Sequence, residues 1–565
     1  MKHLIITGAS IIALATAAPA LAQSNSSTVD QTGTDNQATV NQPGTNNGSE
    51  IDQNGVPLDA VANEATVTQE GDGGFSDIDQ DGDNQATVTQ TASSNGMNSE
   101  IFQSNGGGDS NVANVTQEGT GAGLGSGTGA LIEQTGTGGQ ATVNQGSTST
   151  LATSVIFQSG IDGVATTNQD AGDGQSSTIT QSGDFETATV NQTGGLHSSD
   201  ITQSGTNNNT TVDQTGVNNS ATANQSADSG LIDIDQNADN STAIAGQAGD
   251  LQYIDIDQSG DDNFASVDQS ASATGAQARI NQSGLTLSAT VNQTGLSSNF
   301  PGQRPGVAIE QTGDNNTARV DQAGDGNPLR TYPTSMSGLP NGSAPVVDLE
   351  QSGSGQFADI DQTGSSSFVQ FFQRNLGNSL TVNQSGDETY TFGSQNGQNN
   401  SLTTTQSQTS PTGALAQISS SQNGDNNIAN YTQDGVSTNG TTFGSSFLTS
   451  TQNGNDGISN GTQSGDNDRA FITQIGDRNQ STLTQTASGV NNVATVNQSG
   501  SDGISELTQS DLTQNATLNQ SGTFNESYIT QSGDSNVATV NQSSMGDVSN
   551  VTQTGVNGSV TVNQN

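Results

Sequence analysis

The residues of this chain that could do chemistry are almost all carboxylates, with 55 Asp and Glu against eight Lys and Arg. The sequence Ile-Asp-Ile-Asp-Gln occurs at 232–236 and returns 22 residues later at 254–258. If one turn of the fold has that length, the two copies stack about 5 Å apart. Like charges so close repel, which favours raised pKa values or a bound cation. The candidate Ca²⁺ ligands are Asp233, Asp235, Asp255 and Asp257, and a solvated acidic stripe is the alternative interpretation.

The residue types that most catalytic mechanisms need are missing. The chain has no Cys, its one Lys is Lys2, and His197 is the one His outside the first few residues. A single His forms neither a metal cluster nor a triad, and nucleophile or Schiff-base chemistry needs the absent Cys or Lys. A carbohydrate-active β-helix lyase or hydrolase would need a unique carboxylate pair, and none interrupts the repeat. We therefore predict no catalytic site, no cofactor and no enzymatic activity, with that lyase or hydrolase as an alternative.

The secondary structure that positions these residues is indicated by glutamine. Glutamine recurs every eleven residues over long stretches of the chain. A fixed period of this kind is typical of repeat architectures. An isolated buried amide is unfavourable by roughly 2–7 kcal/mol, but amides stacked in register can donate to one another in a continuous ladder. The predicted ladder residues are Gln181, Gln192, Gln203, Gln214, Gln225, Gln236, Gln258, Gln269, Gln498, Gln509, Gln520, Gln531, Gln542 and Gln553.

Within each repeat the special residues lie two positions apart, which is the period of a β-strand. In one form Asn36, Ala38, Val40, Gln42 and Gly44 alternate with polar residues. The Ala, Val and Gln then share a buried face, and the intervening Thr, Asn and Asp share the opposite face. A strand of about five residues and a turn of about six make half a coil. This pattern predicts an all-β fold, a parallel β-solenoid of two facing sheets with about 22 residues per coil.

Segment boundaries follow from breaks in this pattern. Residues 1–22 are predicted to be a secretory signal peptide, because a positive end precedes an apolar stretch and a small-residue Ala-Leu-Ala sequence. Two repeat blocks are predicted at 23–322 and 351–565. Between them, 323–350 contains Pro residues that do not suit a central strand, so we expect a linker or loop there.

The composition also limits the partners. A formal net charge of −47 argues against nucleic acid and anionic membrane surfaces. No stretch after the predicted signal is apolar enough to span a membrane, so no membrane insertion is expected. An exported chain without Cys cannot rely on disulfides, so the repeat itself must hold the fold.

The repeat resembles the curlin repeat of curli, the amyloid fibres of Gram-negative bacteria, in which Gln-x-Gly-x-x-Asn-x-Ala-x-x-x-Gln follows a leading Ser. One copy has every fixed residue from the first Gln onward: Gln531, Gly533, Asn536, Ala538 and Gln542. The resemblance spans nearly the whole chain after the predicted signal, and it implies a curlin-repeat type of solenoid.

This resemblance implies a structural subunit that is secreted through the periplasm and polymerises into extracellular fibres for adhesion and biofilm matrix. Besides self-association, it implies a curli-type nucleator and an outer-membrane export channel as partners. Open solenoid ends would add further chains by edge pairing. A monomeric β-solenoid surface adhesin or matrix protein is the alternative function.

Overall fold

The computed structural model describes residues 24–55, 62–105, 108–119, 129–295, 306–323, 346–364, 367–408, 416–435, 446–486 and 490–565. These residues form β-strands joined by short turns. No helix in this part of the chain is long and apolar enough to cross a membrane. The chain divides into two compact units, Met1–Asp262 and Asn263–Asn565, and the same strand arrangement occurs in each.

The strands of the first unit are β1 (Ser26–Thr32), β2 (Gln37–Asn41), β3 (Gly48–Asn54), β4 (Glu64–Gln69), β5 (Phe75–Asp81), β6 (Asn84–Gln90), β7 (Asn98–Ser104), β8 (Asn111–Gln117), β9 (Gly129–Gln134), β10 (Gln140–Gln145), β11 (Ser149–Thr150), β12 (Thr153–Gln158), β13 (Val164–Asp170), β14 (Gly172–Asp173), β15 (Ser176–Gln181), β16 (Thr187–Gly195), β17 (Ser198–Gln203), β18 (Asn209–Val217), β19 (Ser220–Gln225), β20 (Leu231–Asn237), β21 (Thr242–Gln247) and β22 (Tyr253–Gln258).

The strands of the second unit are β23 (Phe264–Gln269), β24 (Gln277–Leu285), β25 (Ser288–Gln293), β26 (Gly306–Asp314), β27 (Thr317–Gln322), β28 (Val346–Ser354), β29 (Phe357–Gln362), β30 (Phe368–Leu376), β31 (Ser379–Gln384), β32 (Thr389–Gln398), β33 (Ser401–Gln406), β34 (Ala416–Asn423), β35 (Ile428–Gln433), β36 (Ser446–Asn453), β37 (Ile458–Gln463), β38 (Arg469–Ile475), β39 (Gln480–Gln485), β40 (Val493–Gln498), β41 (Ile504–Gln509), β42 (Asn515–Gln520), β43 (Glu526–Asp534), β44 (Val537–Gln542), β45 (Val548–Val556) and β46 (Ser559–Gln564).

In the first unit each sheet stacks alternate strands, because one coil of chain separates a strand from its parallel neighbour. Sheet A1 contains β1, β3, β5, β7, β9, β12, β15, β17, β19 and β21, and sheet B1 contains β2, β4, β6, β8, β10, β13, β16, β18, β20 and β22. Equivalent residues lie side by side, as Gln181 with Gln203 and Gln203 with Gln225. The short β11 and β14 form a separate two-stranded sheet.

In the second unit the odd-numbered strands from β23 to β45 form sheet A2, and the even-numbered strands from β24 to β46 form sheet B2. Gln498, Gln520 and Gln542 lie in one column, 22 residues apart. Longer coils keep the same register, since Gln282 pairs with Gln311 although 29 residues separate them. The additional residues lie between β25 (Ser288–Gln293) and β26 (Gly306–Asp314). The predicted parallel β-solenoid of two facing sheets, with about 22 residues per coil, is confirmed.

Alternate residues of each strand point into the core, as a two-residue period requires. In β44, Ala538, Val540 and Gln542 are buried, whereas Thr539 and Asn541 face outward and are partly exposed. The inward positions hold a small residue, then an aliphatic residue, then Gln. The predicted division of residue types between the two faces is therefore confirmed, and the core is thin and partly polar.

The predicted segment boundaries stay predictions. The proposed signal peptide at 1–22 lies outside the described residues, as do residues 324–345 of the proposed linker. The last residues of that linker segment belong to β28, which begins at Val346.

Candidate functional site

The ladder glutamines lie at inward positions at or near the ends of their strands, where the alternation buries them. In sheet A1 the Nε2 of Gln181 donates to the Oε1 of Gln203 at 2.8 Å, and Gln203 donates to Gln225 at 2.8 Å. In sheet B1 Gln192 donates to Gln214 at 2.9 Å. The amides of successive coils are thus joined directly along each sheet.

The other predicted ladder residues occupy equivalent positions, with Nε2–Oε1 distances of 2.8 to 3.0 Å. The donor and acceptor pairs are Gln214 with Gln236, Gln236 with Gln258, Gln269 with Gln293, Gln498 with Gln520, Gln509 with Gln531, Gln520 with Gln542, Gln531 with Gln553, and Gln542 with Gln564.

Each ladder amide also connects the two facing sheets. Gln203 lies in sheet A1, and its Nε2 donates a second hydrogen bond to the backbone carbonyl of Thr187 in sheet B1, at 3.0 Å. Gln192 in sheet B1 donates likewise to the carbonyl of Ser176 in sheet A1, at 2.9 Å. Both amide hydrogens and the amide oxygen therefore have partners, which offsets most of the penalty of burying the group.

A second buried ladder, which the sequence pattern did not predict, runs along the turns. The Nδ2 of Asn316 donates to the carbonyls of Thr312 and Gly353 at 3.0 and 3.2 Å. Its Oδ1 accepts the backbone N–H of Gln356 in the next coil, at 2.9 Å. Asn536 makes the same three contacts. The signal was present in the recurrent Asn five residues after a ladder Gln, but two of the partners of Asn316 lie in the next coil, 37 and 40 residues along the chain.

Glycine lies two residues after many of the ladder Gln, where successive coils approach closely. Gly533 has a φ of +91°, and a Cβ on it would lie 2.0 Å from the carbonyl oxygen of Gly555. Gly313 has a φ of +95° and meets the carbonyl oxygen of Gly353 in the same way. Any side chain at these positions would force the coils apart.

Two of the buried turn positions hold a carboxyl group in place of the amide. The Oε2 of Glu186 accepts the N–H of Gly183 at 3.0 Å, and the Oδ1 of Asp468 accepts the N–H of Asn492 at 2.9 Å. The other oxygen of each carboxyl is buried without a hydrogen-bond partner. Burial raises the pKa of Glu186 to about 7 and that of Asp468 to about 7. The protonated form, which carries an O–H donor, is therefore the better replacement for an amide.

His197 occupies another of these turn positions. Its Nδ1 accepts the backbone N–H of Asn219 at 3.3 Å, so its Nε2 carries the proton and donates to the carbonyl of Thr193 at 3.1 Å. Burial lowers the pKa of His197. The neutral ring thus supplies one donor and one acceptor, where the turn asparagines supply two donors and one acceptor.

The four predicted cation ligands lie together on the outer face of sheet B1. Asp233 lies beside Asp255, and Asp235 lies beside Asp257. Burial first, and then the charge of Asp257, raises the pKa of Asp235 to about 6. Burial and the charge of Asp255 raise the pKa of Asp233. Among the described residues, no group of three or more His, Cys, Asp or Glu side chains is arranged to hold a metal ion, so Ca²⁺ binding here stays a prediction.

A larger acidic surface, which the sequence did not single out, covers the outer face of sheet A1 near its first strands. Glu50, Asp77 and Glu100 form one column, and Asp52 and Asp79 form the next. Burial, followed by repulsion from these neighbours, raises the pKa of Asp77 and that of Asp79. The sequence signal is a pair of acidic residues two positions apart, which recurs in successive repeats.

The first and last described coils offer opposite halves of a ladder bond. The Nε2 of Gln31 donates to the Oε1 of Gln53 at 2.6 Å. No described residue donates to the Oε1 of Gln31. At the other terminus Gln553 accepts from Gln531, and its Nε2 has one protein partner, the carbonyl of Val537. Among the described residues, the Oε1 of Gln31 and the second N–H of Gln553 therefore lack the bond between coils that ladder glutamines make elsewhere.

Comparison with known protein families agrees with this geometry. The family model of the Curlin associated repeat matches residues 306–328 and 515–543. Each region contains a strand, a turn with a buried Asn (Asn316 or Asn536) and a second strand. The chain has no match among curated proteins. The resemblance is confirmed at these two regions, and the chain carries the Curlin associated repeat there.

Proposed function

We propose that this chain is a curli-like structural subunit that polymerises into extracellular amyloid fibres for adhesion and biofilm matrix. Curlin-family proteins are extracellular fibre subunits, and curlin repeats in a β-solenoid suggest a subunit of this type. Secretion by the predicted signal peptide, a curli-type nucleator and an outer-membrane export channel belong to the same proposal. The observation that supports polymerisation most directly is the complementarity of the two terminal coils.

The proposed joint continues the solenoid from one copy of the chain to the next. With the register of the internal coils, Gln553 of one copy donates to Gln31 of the next copy, and Gln564 donates to Gln42. Within the described residues the ladder bonds run in one direction, from Nε2 to the Oε1 of the following coil. A head-to-tail joint continues this direction, whereas a head-to-head joint brings donor against donor or acceptor against acceptor.

The terminal backbone supports the same joint. The N–H of Ser543 donates to the carbonyl of Gln564. Because the bonding direction alternates along a parallel strand, the N–H groups of Thr561 and Asn563 in β46 face away from β44. An edge with unpaired N–H and C=O groups is a template for a further strand.

The first experiment incubates the purified secreted chain at high concentration. We expect thioflavin-positive fibres with a diffraction spacing of about 4.8 Å along the fibre. Separate rods that persist for days would contradict polymerisation and would support the alternative of a monomeric surface adhesin or matrix protein. Electron microscopy distinguishes the two.

A proline at the C-terminal edge tests the direction of growth. In the Thr561→Pro variant the edge loses an outward N–H, while the N-terminal coil stays intact. This variant is expected to add to wild-type fibre ends and then block them, so that substoichiometric amounts stop growth. The matched control, Thr561→Val, keeps the N–H and is expected to copolymerise. Equal growth with both variants would contradict the head-to-tail joint.

A non-enzymatic role is part of this proposal, because the curlin repeat family is a structural, non-enzymatic family. The alternative of a carbohydrate-active enzyme has a simple test. Activity on an acidic polysaccharide that disappears when one Asp is substituted would support the enzyme and contradict the structural role.

A further inference from the structure

The outer face of sheet B2 is free of carboxylates over six neighbouring strands, although the chain has 55 acidic residues. We call the outward side chains of β36, β38, β40, β42, β44 and β46 the acid-free face. All residues of these strands are described, and their outward positions hold Thr, Asn, Ser, aliphatic and Phe residues and one Arg. Thr517 and Thr539 lie in its central column.

Hydrogen bonds between side chains join neighbouring strands of the acid-free face. The Nδ2 of Asn497 donates to the Oδ1 of Asn519 at 2.8 Å, and Asn519 donates to Asn541 at 2.8 Å. Each amide carries a second N–H, which remains able to bond outside the column. Flat polar β-faces with a regular repeat can pack against each other as steric zippers do.

The acids of the same coils lie elsewhere. Glu506 and Glu526 belong to the strands of sheet A2, and Asp477 and Asp502 belong to the turns. Two copies that each carry a net charge of −47 repel strongly over most orientations. When acid-free face meets acid-free face, no carboxylate lies between the two sets of six strands, because the outward acids of sheet B2 at Glu310, Asp348 and Glu350 belong to β26 and β28. The spacing of the columns also matches, because both copies have the same rise from strand to strand.

From this charge distribution we infer that the acid-free face packs against the acid-free face of a second copy, so that two filaments associate side by side. Glu506 and Glu526 then lie on the outside of the pair, where they oppose the addition of a third filament. This inference rests on the proposed function, because filaments must first form.

The acid-free face of a single chain is too small for stable pairing, so lateral association requires filaments. Six strands about 4.8 Å apart, each about 17 Å long, cover on the order of 400 Å² per copy. A specific interface needs roughly 1,000 Å² in total, so one pair of chains is expected to dissociate. In a filament every added chain contributes another face, and the contacts act together.

The test compares two double variants. Each variant adds two carboxylates, and the two variants add them to opposite faces. Thr517→Asp with Thr539→Asp places them on the acid-free face, and Thr508→Asp with Thr530→Asp places them at outward positions of sheet A2. The two variants have the same net charge and the same number of altered coils. Mass per unit length and fibre width are measured by electron microscopy, and circular dichroism checks that both variants keep their β-structure.

We expect wild-type fibres and the sheet A2 control to contain two chains per cross-section, and the acid-free-face variant to contain one, an about twofold lower mass per length. Wild-type fibres with one chain per cross-section, or paired fibres in both variants, would overturn the lateral contact and leave the proposed function intact. If the wild-type chain forms no fibres, the proposed function fails, and the lateral contact fails with it.

Discussion

At the scale of single residues, the ladder glutamines meet two demands that usually conflict, burial and hydrogen bonding. Gln203 is fully buried, yet it donates to Gln225 and Thr187 and accepts from Gln181. A bonded amide therefore takes a place that an aliphatic side chain holds in most cores. Because its partners are themselves buried, removing one amide leaves several groups unpaired.

Replacing one ladder glutamine tests this account. In the Gln203→Met variant the side-chain volume is kept, but the bonds to Gln181, Gln225 and Thr187 are lost. We expect the free energy of unfolding to fall by about 2–4 kcal/mol, measured by urea denaturation. The control is Thr202→Met in the same strand, whose side chain faces solvent. An equal effect of both substitutions would show that volume, rather than hydrogen bonding, stabilises this position.

The buried carboxyls predict a pH dependence with a definite sign. The folded pKa of Glu186 and that of Asp468 are raised to about 7, above the ordinary values of 4.5 and 3.8. Their contribution to stability is therefore complete below the unfolded pKa and is lost as the pH rises through about 7. Each group is expected to lower the free energy of unfolding by on the order of 3 kcal/mol at pH 8 relative to pH 4.

The double variant Glu186→Gln, Asp468→Asn removes both titrations. Gln and Asn already occupy equivalent turn positions, for example at Gln356 and Asn316. We expect the thermal midpoint of the variant to fall less between pH 5 and pH 8 than that of the wild-type chain, because only carboxyls such as Asp235, whose pKa is about 6, still titrate there. Parallel pH profiles would mean that these carboxyls do not titrate in this range.

At the scale of elements, the turns differ in how well their residues suit the backbone. One turn position repeatedly has a φ near +57°, as Asn207 and Thr513 both do. Asn tolerates this left-handed conformation, whereas the β-branched Thr is disfavoured there. The solenoid therefore imposes strain at turns where the sequence does not supply Asn or Gly.

Exchanging these residues should move stability in opposite directions. Thr513→Asn is expected to raise the free energy of unfolding by about 1 kcal/mol, and Asn207→Thr to lower it by about the same amount. Both side chains are exposed, so packing contributes little to either change. Differential scanning calorimetry measures both, and shifts of the same sign would contradict the explanation by backbone strain.

At the scale of the whole molecule, the net charge of −47 opposes the association of copies. Salt screens such repulsion, Ca²⁺ neutralises carboxylates, and mild acid protonates those with raised pKa values. Asp77, Asp79 and Asp235 are of this kind, because burial and neighbouring acids raise their pKa values. In the proposed function, we therefore expect charge as well as the terminal coils to control assembly.

We expect fibre assembly to become faster with added salt, with Ca²⁺ and at mildly acidic pH. The measurement is the lag time of thioflavin fluorescence at fixed protein concentration. Mg²⁺ at the same ionic strength is the control that separates specific Ca²⁺ binding at Asp233 and Asp255 from screening. Lag times that do not respond to any of the three conditions would contradict charge-controlled growth.

The sequence by itself determined the architecture, because a local period has a direct structural meaning. Ser, Ile and Gln two positions apart define an inward strand face, and the return of Gln after eleven residues defines half a coil. Parallel stacking and the facing of two sheets follow from these two periods, so β15, β17 and β19 could be placed without coordinates.

The glutamine columns followed from the sequence, but only the tertiary structure decided the other contacts between coils, whose partners lie as far apart as the 40 residues between Asn316 and Gln356. The turn asparagines, the second hydrogen bond of each glutamine and the carboxyls of Glu186 and Asp468 acquire their roles from those contacts. Tyr431 also fits the core because Gly461 lies beside it in the next coil, where a Cβ would lie 3.1 Å from its ring. A repeat pattern states which face a residue occupies, whereas the coil above and the facing sheet set its partners, its protonation and the space it can fill.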